Sequence, residues 1–280
     1  MTRAEPVGVY GGGRMGAGIA HAFLVVGHEL VVVETSDEAA EAARARVESS
    51  VRRAAERVTL TEPVGGVLDR LLVTTDPVSL APTVLVVEAV PEHVPLKAEV
   101  LAAIERHAPH AAIATNTSSL SIDELAARLK RPDQFVGLHF FNPVPASDLV
   151  EIVVGAQTST ELVERSKQWV ERLGKKSITV KDSPGFASSR LGVAIALEAM
   201  RMVEDGIATP EDIDTAMTLG YRHPVGPLRT TDMVGLDVRL AIAEYLARSV
   251  GDRFAPPQIL RDKVAAGELG RKTGSGFYPW

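Results

Sequence analysis

The chain has 280 residues, 45% hydrophobic and 24% charged, which is ordinary for a globular protein with one large or two smaller domains. Its net charge of −6, without a long basic run, argues against nucleic acid or an anionic membrane surface as partners. The absence of cysteine excludes disulfides and thiolate catalysis, and the scattered histidines predict no metal site. Since no apolar run approaches the ~20 residues of a membrane span and the polar start, residues 1–6, does not resemble a signal peptide, we expect a cytoplasmic protein.

The first predicted strand, Val7–Tyr10, runs directly into a glycine-rich turn. Three glycines in a G-x-G-x-x-G pattern then lead into a helix predicted from Met15 to Val26; they are Gly11, Gly13 and Gly16. The first glycine permits a tight turn, the second lets the backbone approach a pyrophosphate, and the third lets the helix pack against the strand. We therefore predict a dinucleotide site at the helix start, with Arg14 and Met15 beside the phosphates.

A second buried strand, Leu30–Val33, ends at an acidic residue, Glu34. A carboxylate at this position can accept hydrogen bonds from the adenosine ribose and would repel a 2′-phosphate, which favours NAD over NADP. The long polar helix predicted next, Asp37 to Arg57, carries Ser50, Arg53 and Arg57 near one side. These three side chains either contact a phosphate group or are simply solvated.

Strands alternate with helices over the following hundred residues. Strands are predicted at 71–75, 83–88 and 111–115, and helices at 94–106 and 122–129. This alternation predicts a doubly wound, mostly parallel sheet of the Rossmann type, which binds ligands at the carboxyl ends of its strands. The polar residues Glu92 and Lys97 follow one such strand end, and Asn116 and Ser118 follow the next.

A histidine lies near the end of the next apolar run. The predicted strand that begins at Phe135 contains His139, two prolines then force an irregular turn, and Leu149–Val154 can return as a strand that carries Glu151. An imidazole beside a carboxylate at this sheet edge is suited to acid/base catalysis. Taken alone, the pattern fits a structural histidine equally well.

The strand signals end after Lys176–Lys181. We expect a dinucleotide-binding domain over 1–183 and an all-α domain over 184–280. In the second domain, Ser183 is expected to cap a helix with Pro184 at its first position, and Thr209 to open a helix through a capping box. Further helices are predicted at 234–250 and 257–266.

Several of these stretches together resemble the L-3-hydroxyacyl-CoA dehydrogenase family, in the form of the bacterial 3-hydroxybutyryl-CoA dehydrogenases. They occur in the family's order along nearly the whole chain: Gly11-Gly-Gly-Arg-Met-Gly-Ala-Gly-Ile-Ala20, Asn116-Thr-Ser-Ser119, His139-Phe-Phe-Asn-Pro-Val-Pro145, Leu149-Val-Glu151, Asp182-Ser-Pro-Gly-Phe186 and Gly270-Arg-Lys-Thr-Gly-Ser-Gly-Phe-Tyr278. The His-Phe-Phe-Asn-Pro motif is far more specific than the glycine turn.

The resemblance implies NAD-dependent oxidation of L-3-hydroxyacyl-CoA to 3-oxoacyl-CoA, and the reverse reaction. His139 would be the general acid/base and Glu151 its partner, with Ser118 and Asn142 at the substrate and the nicotinamide. The resemblance adds cofactor contacts from Glu34, Glu92, Lys97 and Asn116, and a substrate contact at Ser189. Ser50 and Arg57, which the helix pattern suggested, complete the predicted substrate residues. It also implies a homodimer formed through the C-terminal helices.

Two departures from the family pattern concern the substrate. Ser189 stands where the family has an asparagine, and Ser147 and Asp148 replace an apolar residue and a lysine. They leave open an alternative enzyme on the same scaffold, acting on an acyl-carrier-protein thioester or a free hydroxy acid. The other alternative is a non-catalytic NAD-binding protein, which the presence of both His139 and Glu151 disfavours.

Overall fold

The computed structural model describes residues 5–57, 60 and 62–280, so most of the polar start lies outside the described residues. The chain forms two compact units, Met1–Asp182 and Ser183–Trp280, which we call the N-terminal and C-terminal units. Among the described residues, no helix is long and apolar enough to cross a membrane.

The N-terminal unit is built on one sheet, in which eight strands are described. They are β1 (Val7–Tyr10), β2 (Leu30–Val33), β3 (Leu71–Thr74), β4 (Leu85–Glu88), β5 (Ala112–Thr115), β6 (Phe135–Phe140), β7 (Leu149–Val154) and β8 (Lys176–Lys181). The order is β3-β2-β1-β4-β5-β6-β7-β8, and only β6 and β7 pair antiparallel. The predicted doubly wound, mostly parallel sheet is therefore confirmed.

Helices cover the sheet, as its fully buried central strands require. They are α1 (Arg14–Val25), α2 (Asp37–Ala55), α3 (Val64–Leu68), α4 (Val94–His107), α5 (Ile122–Ala126) and α6 (Thr160–Arg172). Several begin at residues suited to the position: the Ser36 hydroxyl accepts from the Ala39 amide at the start of α2, and Ser121 caps α5 in the same way. The strands β2, β4, β5 and β6 are buried along their whole length, which explains why their sequences are continuous apolar runs.

The antiparallel pair β6–β7 follows from the short segment that joins the two strands. A parallel return would need a crossover of a dozen or more residues, whereas residues 141–148 provide only a turn with two prolines. Lys175 holds this turn by donating to the carbonyl oxygens of Val144, at 2.8 Å, and Ser147. Because β6 runs parallel to β5, its carboxyl end lies at the same sheet edge as those of β1, β4 and β5.

The C-terminal unit is helical, as predicted, but two helix boundaries were wrong. Its helices are α7 (Ser188–Glu204), α8 (Pro210–Thr215), α9 (Pro227–Val234), α10 (Leu236–Val250) and α11 (Gln258–Ala265). Gly185 and Phe186 adopt positive φ angles of 75° and 49°, so Ser183 cannot cap a helix at Pro184 and α7 begins only at Ser188. Gly235, at φ 108°, separates α9 from α10, so the helix predicted from Val234 begins only at Leu236, and α9 was not predicted.

The glycine-rich C-terminal motif packs around one buried carboxylate. Asp232 accepts hydrogen bonds from the amides of Phe277 and Tyr278 and from the Trp280 indole, each at 2.9 Å. A Cβ on Gly276 would lie 2.3 Å from the same carboxylate, so only glycine lets the tail approach it. The motif therefore stabilises this unit, which the sequence alone did not indicate.

Candidate active site

The glycine-rich turn between β1 and α1 has the geometry of a phosphate cradle. Gly11 adopts a φ of 95°, which favours glycine, and a Cβ on Gly16 would lie 1.8 Å from the Gly11 carbonyl oxygen. At Gly13, the residue before α1, a Cβ would meet no atom within 4 Å, so the turn is open on that side. The first amides of α1, including those of Arg14 and Met15, have no carbonyl in a preceding turn to bind and are suited to an anion. The turn therefore fits a dinucleotide pyrophosphate.

Gly13 and Gly16 should respond differently to replacement by alanine. Gly16→Ala forces the backbone of the turn to move, so we expect the free energy of unfolding to fall by about 1–3 kcal/mol, measured by urea denaturation. Gly13→Ala is the matched control, since it has room and an ordinary φ of −61°. It should leave stability intact and weaken only NAD binding. Equal stability of the Gly16→Ala variant and the wild type would contradict this reading.

Glu34 is connected to the glycine turn. One carboxylate oxygen accepts from the Gly12 amide at 2.6 Å and the other from the Thr35 amide at 3.2 Å. The carboxylate thus lies beside the turn at the end of β2, at the position where an acid contacts an adenosine ribose in dinucleotide-binding folds. Its contact with the cofactor stays a prediction.

A buried ion pair lies behind the end of β4. The side chains of Lys97 and Glu88 are 1% and 0% exposed, and the ammonium lies 2.8 Å and 3.0 Å from the two carboxylate oxygens. Glu88 also accepts from the Thr115 hydroxyl at 2.6 Å and the Val90 amide at 2.7 Å. Lys97 therefore already has partners inside the fold, and its predicted contact with NAD stays a prediction.

The same lysine supports Glu92, which joins the loops after β4 and β5. The Glu92 carboxylate lies 3.3 Å from Lys97 and accepts from the Thr117 hydroxyl at 2.5 Å and the Ser118 amide at 2.9 Å. Burial raises the pKa of Glu92, but the charge of Lys97 and these hydrogen bonds outweigh it and hold the pKa below its usual value. An ionised Glu92 thus fixes the backbone at Ser118, while Asn116 accepts from the Phe140 amide at 2.9 Å and ties β5 to β6.

His139 and Glu151 face each other across the antiparallel pair β6–β7. The imidazole Nδ1 lies 2.7 Å from Glu151 Oε2, and the two residues are 6% and 0% exposed. The Phe141 ring lies against the imidazole, with 4.6 Å between ring centroids. A buried carboxylate at Nδ1 orients the ring, so the pair has the geometry of an oriented general acid/base.

A cationic pocket of about 810 Å³ opens between α1, α2 and the turn after β6. It brings two predicted substrate residues in and just after α2, Ser50 and Arg57, together with a third that is distant in sequence, Asn142. Three more arginines line the same pocket: Arg14, Arg46 and Arg53. Such a concentration of guanidinium groups is suited to phosphates, and it lies wholly within the N-terminal unit.

Ser189, the last predicted substrate residue, lies in the first turn of α7 in the C-terminal unit. Its substrate contact stays a prediction. No group of three or more histidine, cysteine or acidic side chains in the described part of the chain could hold a metal ion.

The fold and the glycine turn define a dinucleotide-binding protein, with a buried histidine–glutamate pair at the same sheet edge. Residues 6–183 match the NAD binding domain of 3-hydroxyacyl-CoA dehydrogenase, and residues 185–280 match the C-terminal domain of the same enzymes. The chain belongs to the 3-hydroxyacyl-CoA dehydrogenase family.

Relatives with this description align along nearly their whole length. A probable 3-hydroxybutyryl-CoA dehydrogenase of Deinococcus radiodurans is 41% identical over 275 residues, 98% of this chain and 99% of that protein. The mitochondrial hydroxyacyl-coenzyme A dehydrogenase of Sus scrofa is 39% identical, over 98% of this chain and 90% of that protein. The crystal structure of (S)-3-hydroxybutyryl-CoA dehydrogenase from Ralstonia eutropha is similar with a TM-score of 0.95, at 43% identity and 99% coverage of both chains.

Sequence reasoning missed several residues that build the site. Glu88 and Thr115 form the buried network with Lys97, and Arg46 lines the pocket, where its guanidinium also lies 3.4 Å from the Gly12 carbonyl oxygen. The first two are single polar residues at strand ends, and no spacing along the sequence connects them. For Arg46, the helical spacing from Ser50 and Arg53 was an available signal.

Proposed function

We propose that this chain oxidises L-3-hydroxyacyl-CoA to 3-oxoacyl-CoA with NAD, and catalyses the reverse reaction. The observation that carries the proposal is the buried His139–Glu151 pair, 2.7 Å apart, at the sheet edge that also bears the glycine turn. A base and a dinucleotide turn at one edge are what the oxidation of a secondary alcohol requires, since a proton and a hydride must both leave the substrate. Bound NAD would supply the hydride acceptor.

In this proposal His139 takes the proton of the 3-hydroxyl group. The carboxylate of Glu151 holds the ring proton on Nδ1, which leaves the lone pair on Nε2 for the substrate, and it stabilises the imidazolium that forms. Burial strengthens this interaction because little water competes with it. In the reductive direction the imidazolium returns the proton to the carbonyl oxygen.

Ser118 and Asn142 orient the substrate in this proposal. The backbone of Ser118 is fixed through Glu92, and Asn142 lies two residues after the end of β6, so both positions are set by the strands beside His139. A hydroxyl and an amide can donate to the 3-oxygen or the thioester oxygen and so hold a reactive geometry.

The acyl carrier is coenzyme A in this proposal, and the arginine-rich pocket supports it. The phosphates of coenzyme A require several cationic partners, and the pocket offers Arg14, Arg46, Arg53 and Arg57 together with the Ser50 hydroxyl. The alternative substrates lack this cluster of phosphates. A free hydroxy acid has no phosphate, and a carrier-protein thioester has one.

We also propose that the C-terminal unit contacts the acyl group through Ser189 and forms the homodimer. Exposed apolar residues on α7, Leu191 and Ile195, support the second role. The cytoplasmic location expected from the sequence stays a prediction.

The test is NADH formation with purified protein and three substrate types sharing one acyl group. L-3-hydroxybutyryl-CoA should be oxidised with a kcat/KM at least ~10²-fold above that of the carrier-protein thioester or free 3-hydroxybutyrate, because only CoA can use the arginine pocket. Turnover of the carrier-protein thioester alone would favour the alternative enzyme. Absence of turnover with every substrate, despite NAD binding, would favour the non-catalytic reading.

In the same assay, Arg57→Met distinguishes the contribution of the arginine pocket to substrate binding from the rate of the chemical step. It should raise the KM for L-3-hydroxybutyryl-CoA ~10-fold while kcat and the KM for NAD stay near wild type, since it removes one charged phosphate contact. An unchanged KM would remove the pocket's support for coenzyme A.

A further inference from the structure

The turn between β6 and β7 carries Asn142, and few hydrogen bonds of its own hold it. Pro143 and Pro145 have no amide hydrogen to donate. The amides of Ala146 and Ser147 both donate to a single carbonyl oxygen, that of Pro143, at 3.0 Å and 3.1 Å. Asn142 itself is exposed at the wall of the arginine pocket. Its position therefore depends on the contacts that the turn makes with other elements of the N-terminal unit.

Val144 anchors the turn by packing on α1, and Lys175 anchors it by hydrogen bonds. Val144 is 2% exposed, and a Cβ on Gly18 would lie 2.9 Å from the Val144 Cβ. The Lys175 ammonium donates to the carbonyl oxygens of Val144, at 2.8 Å, and Ser147. Hydrogen bonds from a charged donor are about twice as strong as neutral ones. One side chain thus joins two points of a turn whose prolines leave it few internal bonds.

The backbone of Lys175 is fixed, so its side chain starts from a rigid support. Lys175 lies between α6 and β8, and its amide donates to the Val170 carbonyl oxygen at 3.2 Å. Gly174, at φ 69°, ends the helical segment just before it. The Lys176 amide donates to the Asp148 carbonyl oxygen at 2.6 Å. Both the side chain and the backbone of this connection therefore bind the turn.

Asp148, one of the two departures from the family pattern, acts on the charge of Lys175. Burial lowers the pKa of Lys175, and the negative charge of Asp148 opposes this effect. A lysine at position 148, as in the family pattern, would instead place a second positive charge near the first. The carboxylate thus favours the protonated form of Lys175, which is the form that donates to both carbonyl oxygens.

We infer that Lys175 is a positioning residue for the reaction, which holds the turn between β6 and β7 so that Asn142 meets the substrate. The inference rests on the proposed function, in which Asn142 orients the substrate. Asn142 lies only two residues before Val144, so a turn released from Lys175 carries Asn142 with it. A displacement of about 1 Å in an orienting group can cost ~10²-fold in rate.

The first test is Lys175→Met, which keeps the aliphatic chain and removes both charged hydrogen bonds. It should lower kcat/KM for L-3-hydroxybutyryl-CoA at least ~10-fold, while the KM for NAD stays near wild type. Lys175→Arg should retain most of the activity, because a guanidinium can donate to two oxygens. Lys176→Met is the matched control, an exposed lysine next in the chain, and should change nothing.

A double-variant cycle with Asn142→Ala separates positioning from a purely structural role. If Lys175 acts through Asn142, Lys175→Met should cost at least ~10-fold in the wild-type background but less than ~2-fold in the Asn142→Ala background. A melting temperature for each variant identifies one that fails to fold. Lys175→Gln, which is also uncharged, then replaces Lys175→Met in the cycle.

Three outcomes would overturn the inference. They are a Lys175→Met variant whose kcat/KM equals that of the wild type, whatever its melting temperature, equal losses from Lys175→Met in both backgrounds, and wild-type kinetics in Asn142→Ala. Turnover of L-3-hydroxybutyryl-CoA by wild type distinguishes these failures from failure of the proposed function, in which no thioester is oxidised.

Discussion

Replacing His139 with glutamine should lower kcat by about 10³-fold or more, while the affinity for NAD stays near that of the wild type. Glutamine retains hydrogen-bonding groups of similar reach but cannot accept the proton of the 3-hydroxyl group. The glycine turn and Glu34 lie on β1, α1 and β2, away from the substituted position, so the cofactor should still bind.

Stopped-flow measurement of NADH formation gives kcat for this variant, and titration of protein fluorescence gives the NAD affinity. The control is His110→Gln, an exposed histidine in the same unit, which should be indistinguishable from wild type. A His139→Gln variant with turnover close to wild type would remove the histidine from the mechanism.

The second large effect is expected for Glu151→Gln, which should lower kcat by about 10²-fold. The Glu151 carboxylate lies 2.7 Å from Nδ1 of His139. An amide in its place provides no negative charge to stabilise the imidazolium and no longer specifies the tautomer of the ring. Because Glu151 acts through His139, the two effects should not add: Glu151→Gln should cost little further in a protein that already carries His139→Gln.

The control for this cycle is Glu164→Gln, whose exposed carboxylate pairs only with Lys167 among the ion pairs of the described chain. It should leave every parameter unchanged. If the fold-losses in kcat of the two single variants multiplied in the double variant, Glu151 would have a catalytic role independent of His139. The proposed pair would then be wrong.

The sequence predicted the N-terminal unit well because its signals are local and repeated. Most of its strands are short apolar runs ended by a polar or turn residue, and a helix follows several of them, as after Val7–Tyr10 and Leu30–Val33. The helices α3 and α6 were not predicted. The glycine turn was predictable for the same reason, since its spacing reflects the approach of α1 to β1.

Boundaries in the C-terminal unit were less predictable because backbone angles decide them. Pro184 follows a serine and looks like a helix start, yet the positive φ angles of Gly185 and Phe186 delay α7 to Ser188. At Gly235 the positive φ moves the start of the predicted helix from Val234 to Leu236.

The pairing of His139 with Glu151 was predictable because only a short turn joins their strands. Other long-range partners were not, since Glu88 and Lys97 meet only because the chain folds back at the end of β4. Such features depend on contacts between residues that no period in the sequence connects.

The most direct test of the account is the rate of NADH formation from L-3-hydroxybutyryl-CoA by wild type and His139→Gln at equal, saturating NAD. The account predicts steady turnover in wild type and about a thousandth of it or less in the variant, with NAD bound equally by both. Equal rates in the two proteins, or no NADH from wild type although NAD is bound, would contradict it.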